Sequence, residues 1–162
     1  MRHQMLKVAI IFAIATGVFM VGTAVGRKGS SLDKTTAENL STAMHGEAFA
    51  YAKYMLYAEH ARHAGNEELA KLFEVSAKTE RFEHFAEEAQ LAGLVGSDED
   101  NLEDAMQGEA YEVETMYREF SQKAALAGDK AVADGFEEIR HDEVKHRDAF
   151  RAALVPAGNS VK

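Results

Sequence analysis

The chain has 162 residues, a length that fits one domain and is enough to bury a core, but not a two-domain enzyme. Its 18 Lys and Arg against 27 Asp and Glu give a net charge of −9, which argues against a nucleic-acid backbone as partner. Having no cysteine, it can form no disulfide, thiolate-bound zinc, iron–sulfur centre or thiol nucleophile; its one proline, Pro156, leaves the body free to be uninterrupted helix and sets an all-β fold aside.

Residues 1–28 carry Arg2, Lys7, Arg27 and Lys28 and no acid, so the N-terminus is basic and the remainder strongly acidic. Between Lys7 and Arg27 lie 19 uncharged residues, which as a helix span about 28 Å, just enough to cross a bilayer. The segment is read as a single membrane anchor, a cleavable secretory signal being the alternative. Its near-equal flanking charges barely orient it, and the short signal-like start favours a body outside the cytoplasm, as in a periplasm. Gly22 and Gly26 have the small-xxx-small spacing that permits close helix pairing.

Residues 29–35 read as a polar linker. Thr35-x-x-Glu38 has capping-box form and opens a first helix, Gly65-Asn66 separates it from a second, Gly93 to Asn101 is the longest break, and Gly128-Asp129 divides a third from a fourth. The spacing predicts helices near 36–64, 66–92, 98–127 and 129–154, each roughly 40 Å long. The fold class is therefore all-α, an antiparallel four-helix bundle over 36–155 preceded by one transmembrane helix, with 156–162 as a tail.

The sequence repeats. Asn39-Leu40-x-x-Ala43-Met44-x-Gly46-Glu47-Ala48 recurs 62 residues later as Asn101-Leu102-x-x-Ala105-Met106-x-Gly108-Glu109-Ala110, and past the turns the offset becomes 63, as in Phe73 and Phe136 or Glu80 and Glu143. The chain is two related helical hairpins, with one extra residue in the third helix that a π-type bulge would absorb.

The apolar stripes carry charges. Glu47 stands midway between Leu40 and Tyr54, Glu109 midway between Leu102 and Met116 with Glu112 one turn on, and Glu143 between Phe136 and Phe150 with His146 at i+3. Glu80 follows Phe73 by seven residues, and Glu83 and His84 come after it. A lone Glu on a helix is ordinarily solvated. Six on inward stripes would repel one another and cost several kcal/mol each if buried unpaired, a problem that two bound cations remove. Carboxylates with imidazole suit iron or manganese better than zinc, and the arrangement matches the layout of carboxylate-bridged dimetal bundles.

With these residues the sequence resembles the rubrerythrin branch of the ferritin-like family over about residues 36–154. The resemblance rests on Gly46-Glu47 with Tyr54, on Gly108-Glu109-x-x-Glu112 with Met116-Tyr117, and on Glu143-x-x-His146 with Phe150. It implies a ferritin-like bundle holding two irons on Glu47, Glu80, Glu83, Glu109, Glu112, Glu143 and His146, with Tyr54 and Tyr117 beside the site, and it implies pairing into a homodimer. An apolar stripe of Phe82, Phe85 and Ala89 outside the metal-facing one also asks for a partner surface. The second Glu-x-x-His of the family appears as Glu80-Arg81-Phe82-Glu83-His84. On an α-helix Glu83 and His84 sit about 60° and 40° to either side of Glu80; the repeat favours Glu83, with His84 the alternative. No four-cysteine rubredoxin-type segment is present, so an external electron-donor protein is expected. His45, His60 and His63 read as surface residues, and Asp98-Glu99-Asp100 as the acidic start of a helix.

The functional expectation is a membrane-tethered diiron enzyme that reduces hydrogen peroxide. The alternatives are a ferroxidase handling iron near a membrane and a non-catalytic accessory subunit of a larger membrane complex.

Overall fold

With no proline before residue 156, the helices run until a glycine in the left-handed region stops them. Gly65, Gly93 and Gly128 have φ of +77°, +62° and +88°. A computed structural model describes residues 32–154, and all its regular structure is helical. In chain order it contains α1 (Lys34–His63), α2 (Glu67–Thr79), a first π segment (Glu80–His84), α3 (Phe85–Ala92), α4 (Asp98–Tyr111), a second π segment (Glu112–Met116), α5 (Tyr117–Ala127) and α6 (Lys130–Leu154). Each π segment joins its neighbours into one rod, so four rods result, with ends within two residues of the sequence expectation.

Asn66 caps α2 by accepting from the Leu69 N–H at 3.1 Å, and Ser97 and Asp100 form a reciprocal capping box at the start of α4, where the acidic run lies. One cap differs from expectation. Asp33, not Thr35, opens α1, accepting from the Thr35 N–H at 2.9 Å; a carboxylate two residues upstream reaches the free N–H groups first. The π segment at Glu112–Met116 takes up the extra residue of the third rod as expected, whereas the one at Glu80–His84 has no counterpart in the sequence reading.

The rods pack as two antiparallel hairpins. α1 lies against α2, the first π segment and α3; α6 lies against α4, the second π segment and α5. Small residues make the seams: Ala58, Ala61, Ala70, Ala77 and Ala89 in the first hairpin, Val113 and Ala133 in the second, and among the described residues no large side chain is fully buried. Arg62 bonds Glu74 across the first hairpin, and Arg147 lies 4.0 Å from Glu114 across the second. No helix of one hairpin comes within 8 Å of a helix of the other, Cα to Cα. The expected anchor in residues 1–28 and the tail from 156 lie outside the described residues, among which no helix is long and apolar enough to cross a membrane.

Candidate metal centre

Each hairpin brings two carboxylates and one imidazole to a single point. In the first, Glu47 comes from the middle of α1, Glu80 and His84 from the π segment facing it; in the second, Glu109 comes from α4, Glu143 and His146 from α6. Within each group one ligand atom per residue lies within 4.8 Å of the others. The two groups are near copies. His84 Nδ1 is 2.9 Å from Glu80 and 3.8 Å from Glu47; His146 Nδ1 is 2.7 Å from Glu143 and 3.9 Å from Glu109. The four carboxylates are 14 to 27% exposed and the imidazoles more than half, so each group opens on one side.

The π segment decides which residue joins Glu80. A π-helix takes about 4.4 residues per turn, so i+4 returns to the face of residue i and i+3 falls short of it. His84 is thereby carried onto Glu80 and Glu47, while Glu83, favoured by the repeat at constant offset, stays exposed outside the group. A signal for His84 was present in the sequence. His84 precedes His146 by 62 residues, the same offset as Glu47 and Glu109, which marks an extra residue just upstream of it.

The second π segment has a different effect. Upstream of it the repeat offset is 62; downstream it is 63, so Tyr117, Phe120 and Phe136 reproduce Tyr54, Tyr57 and Phe73. The Tyr54–Phe73 and Tyr117–Phe136 ring centroids are both 6.1 Å apart, and Tyr57–Phe73 and Phe120–Phe136 are 5.3 and 5.6 Å apart. Both expected tyrosines thus stand on the ligand-bearing rods, two turns past the glutamates. Glu112 is half-buried one turn beyond Glu109, outside the three-residue group but within the field of Glu143. Glu88, one turn after His84, was not singled out by sequence; its Oε2 is buried without a hydrogen-bond partner and its charge acts on Glu47. His45, His60 and His63 are exposed, as expected.

The electrostatics record crowding. Glu47 is held above the ordinary carboxyl value, first by a hydrogen bond with Glu80 that needs a proton between them, then by burial and by the charge of Glu80. Burial is the main cause for Glu109, followed by its hydrogen bond to Glu143, and burial also raises Glu112. His84 is raised chiefly by its bond to Glu80. The Tyr117 phenol is pushed up by burial and then by Glu112, Glu143 and Glu109. Glu109 Oε2 is buried with no hydrogen-bond partner. A carboxylate oxygen in that position, within a cluster of hard oxygen donors and imidazole, fits a di- or trivalent cation.

The Rubrerythrin family model matches residues 38–154. Nigerythrin of Nitratidesulfovibrio vulgaris is 32% identical over 152 residues, covering 86% of this chain and 73% of its own. Rubrerythrin of Porphyromonas gingivalis is 32% identical over 139 residues, covering 78% and 68%. A solved structure of nigerythrin in its fully reduced, all-ferrous state is 31% identical, covers 80% of this chain and 70% of its own, and gives a TM-score of 0.38. Two Glu/Glu/His groups able to hold a metal ion lie in the rods that these relatives match, and the chain belongs to the rubrerythrin family of diiron proteins.

Proposed function

We propose that the protein is a peroxide reductase, re-reduced by a separate electron-donor protein. The observation that carries this reading is the pair of matched Glu/Glu/His groups in a rubrerythrin chain. Bound by those residues, an iron pair would supply the two electrons that cleave the O–O bond of hydrogen peroxide, which takes up two protons and leaves as two waters. The protein's part is binding and proton placement. Glu47, Glu80, Glu109 and Glu143, each mostly withdrawn from water, gather enough negative charge to hold the metals, and His84 and His146 complete the set. Tyr117 keeps its phenolic proton at neutral pH, because burial and three carboxylates oppose its loss, and so offers a hydrogen-bond donor beside the centre. Its ring packs against those of Phe120 and Phe136, with centroids 6.4 and 6.1 Å away.

The uncharged run of residues 8–26 supports a membrane tether for this domain. Anaerobic stopped-flow mixing of the diferrous protein with hydrogen peroxide tests the reading: oxidation is expected to be faster than with oxygen. Equal or faster oxidation by oxygen would replace it with a ferroxidase.

A further inference from the structure

Each hairpin presents three ligand residues on an uncovered face. On the ligand stripes, Leu40, Met44 and Tyr54 of the first hairpin and Leu102, Met106 and Tyr117 of the second are only half-buried, although a bundle interior is where such side chains belong. The missing cover for each hairpin has the form of the other one.

One chain cannot bring its own two together. The rod from Glu67 to Ala92 is about 39 Å long, while the connection from Ala92 to Asp98 reaches about 20 Å at most, so it cannot run back along the rod. The alternative is a tight turn that sets α3 beside α4, but these helices are not neighbours. Hydrogen bonds fix the connection as it is. Gly93 and Leu94 donate to Gln90 and Ala89 at 3.1 and 2.9 Å, Gly96 is clamped by the Asn101 amide at 2.8 and 3.1 Å, and Ser97 caps α4. Leu94 and Val95 line one open cavity together with Arg81 and Phe85 of the first hairpin.

We propose that the dimetal centre is completed between two copies of this chain. Glu47, Glu80 and His84 of one copy face Glu109, Glu143 and His146 of a second, and the exchange is reciprocal, so that a pair of chains forms two bundles and two centres. The inference rests on the diiron assignment and not on the peroxide chemistry. A short, fixed connection between two mutually complementary units favours exchange, because the cover a chain cannot supply to itself is available from its twin.

Complementation tests it. The full-length chain is made as two differently tagged variants, Glu47→Ala with Glu80→Ala and Glu109→Ala with Glu143→Ala, each checked for helix content by circular dichroism. Each alone is expected to lose its iron. Co-expressed and purified through both tags, the mixed pair should hold one complete centre, half the iron of the wild-type pair, because one of its two bundles combines the intact halves. A mixed pair without iron, failure to recover a mixed pair, or iron retained by either variant alone would overturn the proposal. The second measurement is independent of metal. Inserting a flexible segment of about 20 residues between Val95 and Gly96 is expected to turn the wild-type dimer into a monomer on dilute refolding, read by light scattering; a dimer that persists, or a wild-type monomer, would overturn it. Monomerisation of the lengthened chain together with a wild type that binds no iron would leave exchange standing and remove the diiron assignment.

Discussion

The two hairpins are copies that arrive at the same constellation by different local routes. In the second, Glu143 and His146 are three residues apart on regular α-helix, and the π segment lies on the opposite rod, where it keeps Tyr117 in phase with Phe136. In the first, the π segment carries the ligands themselves, and Glu80 and His84 are four apart. The imidazole-to-carboxylate distances nevertheless agree to about 0.2 Å. An inserted residue rotates everything after it by about 100° on an α-helix, and a π segment confines that rotation to one turn. What the two halves have in common is therefore the position of donor atoms and not the spacing of residues along the chain.

The largest break in this symmetry is expected from removing a carboxylate. Glu109→Ala should take a carboxylate from the second group and sharply reduce bound iron, because a two-metal centre that loses a donor from one half no longer holds its pair. The metal-free protein should melt higher, by roughly 2–4 °C for each ~1 kcal/mol gained, since a buried, unpartnered oxygen is lost. Iron analysis and calorimetry on the same sample read both effects. Next in size is the contrast between the two adjacent residues of the first π segment. His84→Ala should weaken iron binding by about tenfold or more, the loss expected for a group at or beside a metal. Glu83→Ala, which alters an exposed side chain, should leave it unchanged. The reverse result in an iron titration would restore Glu83 to the site.

This contrast also shows where the sequence was readable. The rods, their ends and the extra residue of the third helix follow from apolar period, caps and left-handed glycines, all local features. Glu47, Glu80, Glu109, Glu143 and His146 stood out because a charge at the centre of an apolar stripe violates the local pattern. His84 ranks only as an alternative because the 63-residue offset of Glu80 and Glu143 aligns Glu83 with His146, and the π turn that brings His84 in instead is set by backbone bonding that no single residue type announces. The separation of the hairpins was legible too: the predicted ends at 92 and 98 leave a connection too short to run back along a rod of about 39 Å.

Titration should separate the halves by a smaller margin. Glu47, Glu109 and Glu112 bind their protons more tightly when folded than when unfolded, so their ionisation destabilises the metal-free fold as pH rises above the ordinary value of 4.5 and through their raised values. His84 acts with the same sign: its contribution is complete below 6.5 and is lost as pH climbs through its raised value. Glu119, Glu137 and Asp142, lowered by their Lys or Arg partners, give stability that is lost only in acid, as pH falls through those lowered values, and is flat above about pH 5. The melting temperature of the metal-free protein should therefore fall from pH 5 to pH 8, and His84→Ala should flatten the upper part of that slope. With excess ferrous iron the trend should reverse, since metal competes with protons for the same atoms. A flat metal-free profile would show that the carboxylates are not crowded in solution.

The smallest expected effect tests whether the hairpins are equivalent where no chemistry intervenes. Gly65 and Gly128 occupy corresponding turns, with φ of +77° and +88°, and a Cβ built on either meets no atom within 4 Å. Substitution by alanine therefore introduces no clash with neighbours, and what remains is the cost of holding an L-residue in the left-handed region, about 1–2 kcal/mol. Both turns lie at the far end of their hairpins from the connection, and neither touches a ligand. Gly65→Ala and Gly128→Ala should lower the melting temperature of the metal-free protein by the same few degrees and leave iron content unchanged. A clearly larger loss at one turn would mean that this hairpin depends more on its own closure, and that the near-identity of the two groups does not extend to the stability of the rods that carry them.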